Sequence, residues 1–581
     1  MSPLDRLFFL AVAVSLALPN LIYSGVYFFQ TLHLMKWTFA LAPIGVMSLL
    51  IGTLLAWKGA DTAKVRVDLF GWIWFALLMY ITLQPLWAPI KSVPTFYREW
   101  FFFLSLWGLY VLCLDRFRED WLRPVLWLAS LNATINVFFA ELQTLGTVDI
   151  FGSLNLILPT PGNYIGNTGQ QNMFGLWLAM TALGSVFIYL RHGLKETRGL
   201  GRFFAATNLL MLPVILWGLW NSTSRSAILS LAVGIFLMAA MIVAGRDRSR
   251  LRRLGICVVL MVIVLGASIN LNQARSGALI SKTMDMVQNA NTVGGRDGIW
   301  KTSWTMAIEE PLKGFGLGQY KLNYLQAQRA AFERYPDLNW QYTNWAHNEY
   351  LQWLCEAGIV GFVLLMGMIL WWGWAFMGYV WRHRGTPFPD GVLWGASFMG
   401  VMLFNALWTR PFHRIENSIW ISLAFAVSNR HIMADMIGKP SFLSNPRGYR
   451  ALGVIMASIS LWGMAFLWQG IEADVLLRQA VSSRTALVQR ALMEKATNSL
   501  MARDIAERQL AYHYIAYGEA AQDPEALAEG LNRLFSVFRS EPNAEDLRKL
   551  LDWSGRLKKQ DMLRYLVTFL KPGTYRVEPP Q

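Results

Sequence analysis

Three basic side chains stand out by their surroundings. His347 lies in Asn344-Trp345-Ala346-His347-Asn348-Glu349-Tyr350, directly before a long apolar run. Arg296 lies in Gly294-Gly295-Arg296-Asp297-Gly298, and Arg225 in Asn221-Ser222-Thr223-Ser224-Arg225-Ser226. A neutral imidazole accepts a proton near neutral pH. A guanidinium offers phosphate oxygens two parallel hydrogen bonds. One base with two such forks suits a reaction in which a hydroxyl attacks and an anionic group, such as a diphosphate, departs. Each residue also has a plainer reading. His347 suits a helix cap, Arg225 an interfacial side chain reaching lipid headgroups, and Arg296 a turn in which it pairs with Asp297.

The neighbours add to this pattern. Ser and Thr before Arg225 are natural N-caps, and a helix starting there presents amides and a positive dipole end to an anion. Glycines beside Arg296 let the backbone approach a ligand. After His347, Glu349, Gln352 and Glu356 share one helix face. Glu356 falls within the apolar run, where a carboxylate suggests function. Asn167, Gln170 and Asn172, in Ile165-Gly166-Asn167-Thr168-Gly169-Gln170-Gln171-Asn172, offer carboxamides to sugar hydroxyls or phosphate, or form an ordinary polar cap. Arg410, His413 and Arg414 crowd around Glu416, as substrate ligands or simply as its ion-pair partners. Gly314-x-Gly316-x-Gly318 lacks the preceding strand of a dinucleotide fingerprint. No Asp-x-Asp or His/Asp cluster calls for a metal, and no cofactor is expected.

These residues must be positioned by membrane helices. Hydrophobic residues make up 54% of the 581, charged residues only 15%, and there are 27 Trp. Apolar runs of about 20 residues recur, long enough to cross a bilayer. The chain reads as all-α, a polytopic membrane protein of about 13 transmembrane helices. The spans lie near Phe8–Phe29, Trp37–Trp57, Phe70–Leu86, Trp100–Cys113, Val125–Phe139, Phe174–Leu190, Asn208–Trp220, Ala227–Ala244, Gly255–Ile269, Tyr350–Val380, Val392–Leu407, Ile415–Val427 and Ala451–Trp468. The net charge of +15 does not indicate nucleic acid, because many of the basic residues sit in short loops. Every even-numbered exit is basic, as in Arg246, Arg248, Arg250, Arg252 and Arg253, which places the N-terminus in the cytoplasm. An odd span count then puts the C-terminus outside. The transmembrane part covers 1–470, with an extracytoplasmic loop over about 270–346. Residues 471–581 read as a separate charged helical domain outside the membrane, resembling tetratricopeptide repeats and suited to docking an acceptor. Cys113, Cys257 and Cys355 all fall in apolar segments and imply neither disulfides nor a metal site.

In this order, Gly166-Asn167-x-Gly169-Gln170-x-Asn172, Ser224-Arg225-Ser226, Gly295-Arg296, Gly314-x-Gly316-x-Gly318, Ala346-His347-Asn348 and Glu356-x-Gly358 resemble the bacterial O-antigen ligase, O-antigen polymerase and O-oligosaccharyltransferase superfamily, over roughly 166–417. The resemblance implies an inner-membrane glycosyltransferase that needs no metal and inverts the anomeric carbon. Its donor would be an undecaprenyl-diphosphate-linked glycan, used on the periplasmic face. Arg225 and Arg296 would hold the diphosphate, His347 would activate the acceptor, and Gln170 would lie near the donor. Pro94-Thr95-Phe96-Tyr97-Arg98-Glu99-Trp100 and the tail are similar to pilin O-oligosaccharyltransferases, which favours a pilin-like protein as acceptor. Glu416-Asn417-Ser418-Ile419-Trp420 departs from that group, with Asn417 where a functional Tyr is expected. The alternatives are an O-antigen ligase using lipid A core, a polysaccharide polymerase, or, in another class, a lipid-linked glycan transporter. A transporter would show broken helices in repeated halves, and no such repeat is apparent in the sequence.

Overall fold

The computed structural model describes residues 2–23, 34–59, 65–151, 156–192, 199–288, 296–437 and 446–574. Among these residues every regular element is a helix. Nine helices among the described residues are long and apolar enough to cross a membrane: Leu34–Lys58, Leu69–Leu86, Glu119–Leu145, Gln171–Arg191, Leu200–Asn221, Arg225–Ala244, Arg248–Leu271, Glu349–Arg382 and Arg447–Ser482. The chain is a multi-pass membrane protein. Four expected spans are not among the nine. The helices Pro3–Ala17 and Asp390–Asn405 have only 15 and 16 residues, short for a bilayer. Val93–Arg116 and Ile415–Ile437 have 24 and 23 residues but carry more polar side chains.

The chain divides into two compact units. The first comprises 1–76, 104–288 and 367–464. Its centre is the helix Gln171–His192, whose span is 94% buried, whereas Arg248–Leu271 is 22% buried and forms the rim. Gly175 lets the central helix close on the start of Arg225–Ala244, since a Cβ there would lie 2.5 Å from the Ser224 Cβ. At one end of this unit Asp390 pairs with Arg191 (2.7 Å) and Arg250 (2.9 Å). At the other end of the central helix, Gln171 reaches the Ser222-Thr223 turn. The three basic exits after spans six, eight and ten thus share one end, as alternating spans require.

The second unit comprises 77–103, 289–366 and 465–581. Its tail forms five helices among the described residues: Ala486–Ala496, Arg503–Ala521, Pro524–Ser540, Ala544–Arg556 and Gln560–Val567. The hairpin between the second and third has a local cause. Gln522 is left-handed (φ 55), Asp523 caps the amides of Glu525 and Ala526, and Pro524 opens the next helix. The tail's apolar core takes in Leu325 of the long loop, with Tyr342 packed against it. Trp340 donates to the Phe569 carbonyl (3.0 Å) and Lys571 to the Leu338 carbonyl (3.0 Å). Beneath lies a buried ionic network. Arg98 forks onto Asp504 (2.7 and 2.6 Å), and Arg508 reaches Glu541 (3.3 Å) and Asp546 (2.9 Å). Tail and loop fold together because loop residues fill the tail's core.

Candidate functional site

The first unit carries one constellation. The helix Arg225–Ala244 begins at Arg225, as expected, but its cap differs from the expectation. Ser224 makes no side-chain capping bond and instead turns its hydroxyl to Asn172 Oδ1 (3.3 Å). Thr223, before it, has φ +52. A β-branched residue there is a true backbone outlier, and such strain gathers at functional sites. Gln171 holds the strained turn, donating to the Ser222 carbonyl and the Thr223 hydroxyl, both at 2.6 Å. The 166–172 segment and Arg225 are therefore brought together.

Asn167 proves to be a scaffold. Its oxygen accepts from the Leu158 amide (2.9 Å), and its amide donates to the Leu21 and Leu156 carbonyls (both 2.8 Å). Gln170 is half-buried at the end of this turn. Arg414 donates to the Thr168 carbonyl (2.8 Å) and pairs with Glu416 (2.9 Å). The ion-pair reading of Arg414 therefore holds, and the bond to the Thr168 carbonyl adds a contact that was not expected. Arg410 and His413 bound the short turn Pro411–His413 that leads into the helix Ile415–Ile437.

The second unit carries the other constellation. His347 has φ +52 and is fixed on both sides. On one side, the Ala346 carbonyl accepts from the Trp300 indole (3.0 Å), and its amide donates to Gln352 (3.3 Å). On the other, Asn348 caps the following helix through the Leu351 amide (3.0 Å). Trp300 lies one turn along the helix Asp297–Glu309 from Arg296, which sits at its N-cap. Arg296 and His347 are thus tied through a single side chain. Asp297 pairs with Lys301 (2.7 Å), a partner the sequence reading did not weigh. Gly294 and Gly295 lie outside the described residues.

Glu356 does not point down a continuous membrane helix. The helix Glu349–Arg382 breaks at Gly358 (φ 63, ψ −174), so Glu349, Gln352 and Glu356 sit on a short separate piece. The Glu356 carboxylate accepts from the Gly318 amide (2.9 Å), the Tyr320 amide (3.4 Å) and Gln352 (3.2 Å). It thereby caps the helix Tyr320–Arg334 and holds the glycine loop, at Gly314, Gly316 and Gly318, where φ is 67, 102 and 73. Those angles make the run a tight turn. Gln84 closes the assembly, donating to the Glu356 carbonyl (2.6 Å) and accepting from the Leu317 amide (3.0 Å). Gln84, Gln171 and Lys36 were missed from sequence.

Among the described residues no group of three or more His, Cys, Asp or Glu could hold a metal ion. No curated protein matches the chain. Residues 207–366 match a family model described as O-antigen ligase. The family consists of glycosyltransferase-like enzymes that use a lipid-linked glycan donor with a glycolipid or protein acceptor. The match spans Arg225, Arg296 and His347, and over these residues the chain is similar to the O-antigen ligase family.

Proposed function

We propose that this protein transfers a glycan from undecaprenyl diphosphate to an acceptor hydroxyl on the periplasmic face of the bacterial inner membrane. In this reading the N-terminus is cytoplasmic and the tail, a helical array resembling tetratricopeptide repeats, is periplasmic. One observation carries the reading: His347 is held in a strained conformation by the same indole that anchors the helix of Arg296.

The reaction is a single displacement. A neutral His347 nitrogen takes the acceptor hydroxyl proton as that oxygen bonds to the anomeric carbon. The bond from that carbon to the diphosphate oxygen breaks, and its electron pair leaves with the diphosphate. Attack opposite the leaving group inverts the centre. Arg225 and Arg296 stabilise the growing charge, as preorganised cations do, and no metal is required. Gln170, Asn172, Arg410 and His413 line the donor's path, while Asn167, Glu356 and Arg414 hold the loops that present it.

The acceptor is a pilin-like protein in the first reading. A glycolipid acceptor, lipid A core or a growing glycan, is the second, favoured by the description of the matching family. The shared core of tail and loop weakens the case for a dedicated protein dock. The test is purified protein with one defined donor and each of the three acceptors, read by mass spectrometry. One glycosylated acceptor with free undecaprenyl diphosphate is expected. Failure with all three, under conditions where donor binds, overturns the reading.

A further inference from the structure

Lys36 is 1% exposed, near the start of the helix Leu34–Lys58. Its ammonium donates to the Asn167 carbonyl at 2.6 Å. Arg414 takes the next carbonyl, that of Thr168, at 2.8 Å. Two cations thus grip successive carbonyls of the turn Gly166–Thr168, which leads into Gln170, Gln171 and Asn172.

A hydrogen bond to a carbonyl does not need a charge, and this region shows as much. Gln143 donates to the Leu158 and Gly166 carbonyls (both 3.0 Å), and Asn136 donates to the Asn20 carbonyl (3.0 Å). Burying an ammonium costs several kcal/mol unless an opposite charge compensates it. Among the described residues, the charged groups that act on Lys36 are Glu416 and Arg414. Glu416 already pairs with Arg414 at 2.9 Å. Among the described groups that act here, two cations thus share one carboxylate beside the half-buried Gln170.

We propose that Lys36 supplies a third cationic contribution to donor binding, from beneath the 166–172 turn, and is a specificity-determining residue for a diphosphate-bearing lipid. The inference rests on the donor reading above. The ligand chemistry is a lipid diphosphate, and its neutral counterpart is the lipid alcohol.

The experiment measures binding of undecaprenyl diphosphate and of undecaprenol to the full-length protein in nanodiscs. The parent is compared with Lys36→Met, Lys36→Gln and Lys36→Arg. Lys36→Gln keeps an N–H donor for the Asn167 carbonyl and so guards against misfolding. Both neutral variants should weaken diphosphate binding about tenfold or more, the scale of losing one through-space charge attraction in a partly buried site. Lys36→Arg should stay near the parent, and undecaprenol binding should not change. Lys36→Gln binding the diphosphate like the parent, while the parent prefers diphosphate to alcohol, overturns the inference alone and leaves Lys36 a support for the turn. A parent without that preference overturns the donor reading and the inference together.

Discussion

Replacing Gly358 with Ala should be the most damaging single-methyl change near the site. Its φ of 63 and ψ of −174 lie in a region open essentially to glycine, where other residues are strained by about 1–3 kcal/mol. A Cβ there would also lie 2.4 Å from the Leu312 carbonyl oxygen, 2.5 Å from its carbon and 2.7 Å from the Gly314 nitrogen. All three are backbone atoms, so no rotamer change relieves the overlap. Strain and overlap together should exceed about 4–5 kcal/mol, the range of exceptional substitutions. Relief requires residues 312–314 to separate from 356–358, which pulls the Glu356 carboxylate off the Gly318 and Tyr320 amides. The control is Gly373→Ala in the same helix, where no atom lies within 4 Å of the added Cβ. Thermal unfolding and glycan transfer of both variants would be measured in nanodiscs. Gly358→Ala should lose several degrees or fail to accumulate, with transfer abolished, while Gly373→Ala behaves like the parent. Equal behaviour of the two would refute the break at Gly358 and the backbone contact that requires it.

Asp504→Asn should cost about 3–5 kcal/mol, since it leaves Arg98 buried without its charge partner. Burial alone would raise the Asp504 carboxyl, but the Arg98 charge and its two hydrogen bonds outweigh burial and hold it well below the usual range. This contribution is therefore present above the ordinary Asp pKa and lost as pH falls toward the depressed value; thermal melts from pH 7 to pH 3 should show a fall that Asp504→Asn flattens. Arg225→Lys and Arg296→Lys keep charge but lose the fork, so both should raise the donor KM, and parent-like kinetics in both would refute the clamp. Truncation after Ser482 should abolish donor turnover with every acceptor, because it uncovers Leu325 and Tyr342; retained donor chemistry with loss of a protein acceptor alone would restore the tail as a dock.

The parts of this molecule that are periodic or contiguous were legible in the sequence. Apolar runs gave nine of the thirteen expected spans among the described residues, and the Ser-Thr-Ser-Arg turn gave a helix start at Arg225. His347 was placed before a helix because a long apolar run follows it. What escaped notice depends on contacts distant in sequence. Gln84 bonds to Glu356, 272 residues away, and Lys36 to Asn167, 131 away, so neither leaves a local pattern. The break at Gly358 was invisible because glycine is common in transmembrane helices. The hold of the Glu356 carboxylate on the Gly318 and Tyr320 amides likewise joins residues 38 and 36 apart and left no local pattern. Thr223 gave no signal, since backbone strain is a property of the fold around a residue.

The central claim is that His347 is the base in a transfer from a lipid diphosphate. The most direct test is pre-steady-state transfer by His347→Ala, with donor binding measured on the same sample. Removing a general base typically slows the chemical step about 10²–10⁴-fold. The account predicts a loss of that size with donor affinity and melting temperature unchanged. Turnover within a few-fold of the parent would contradict it.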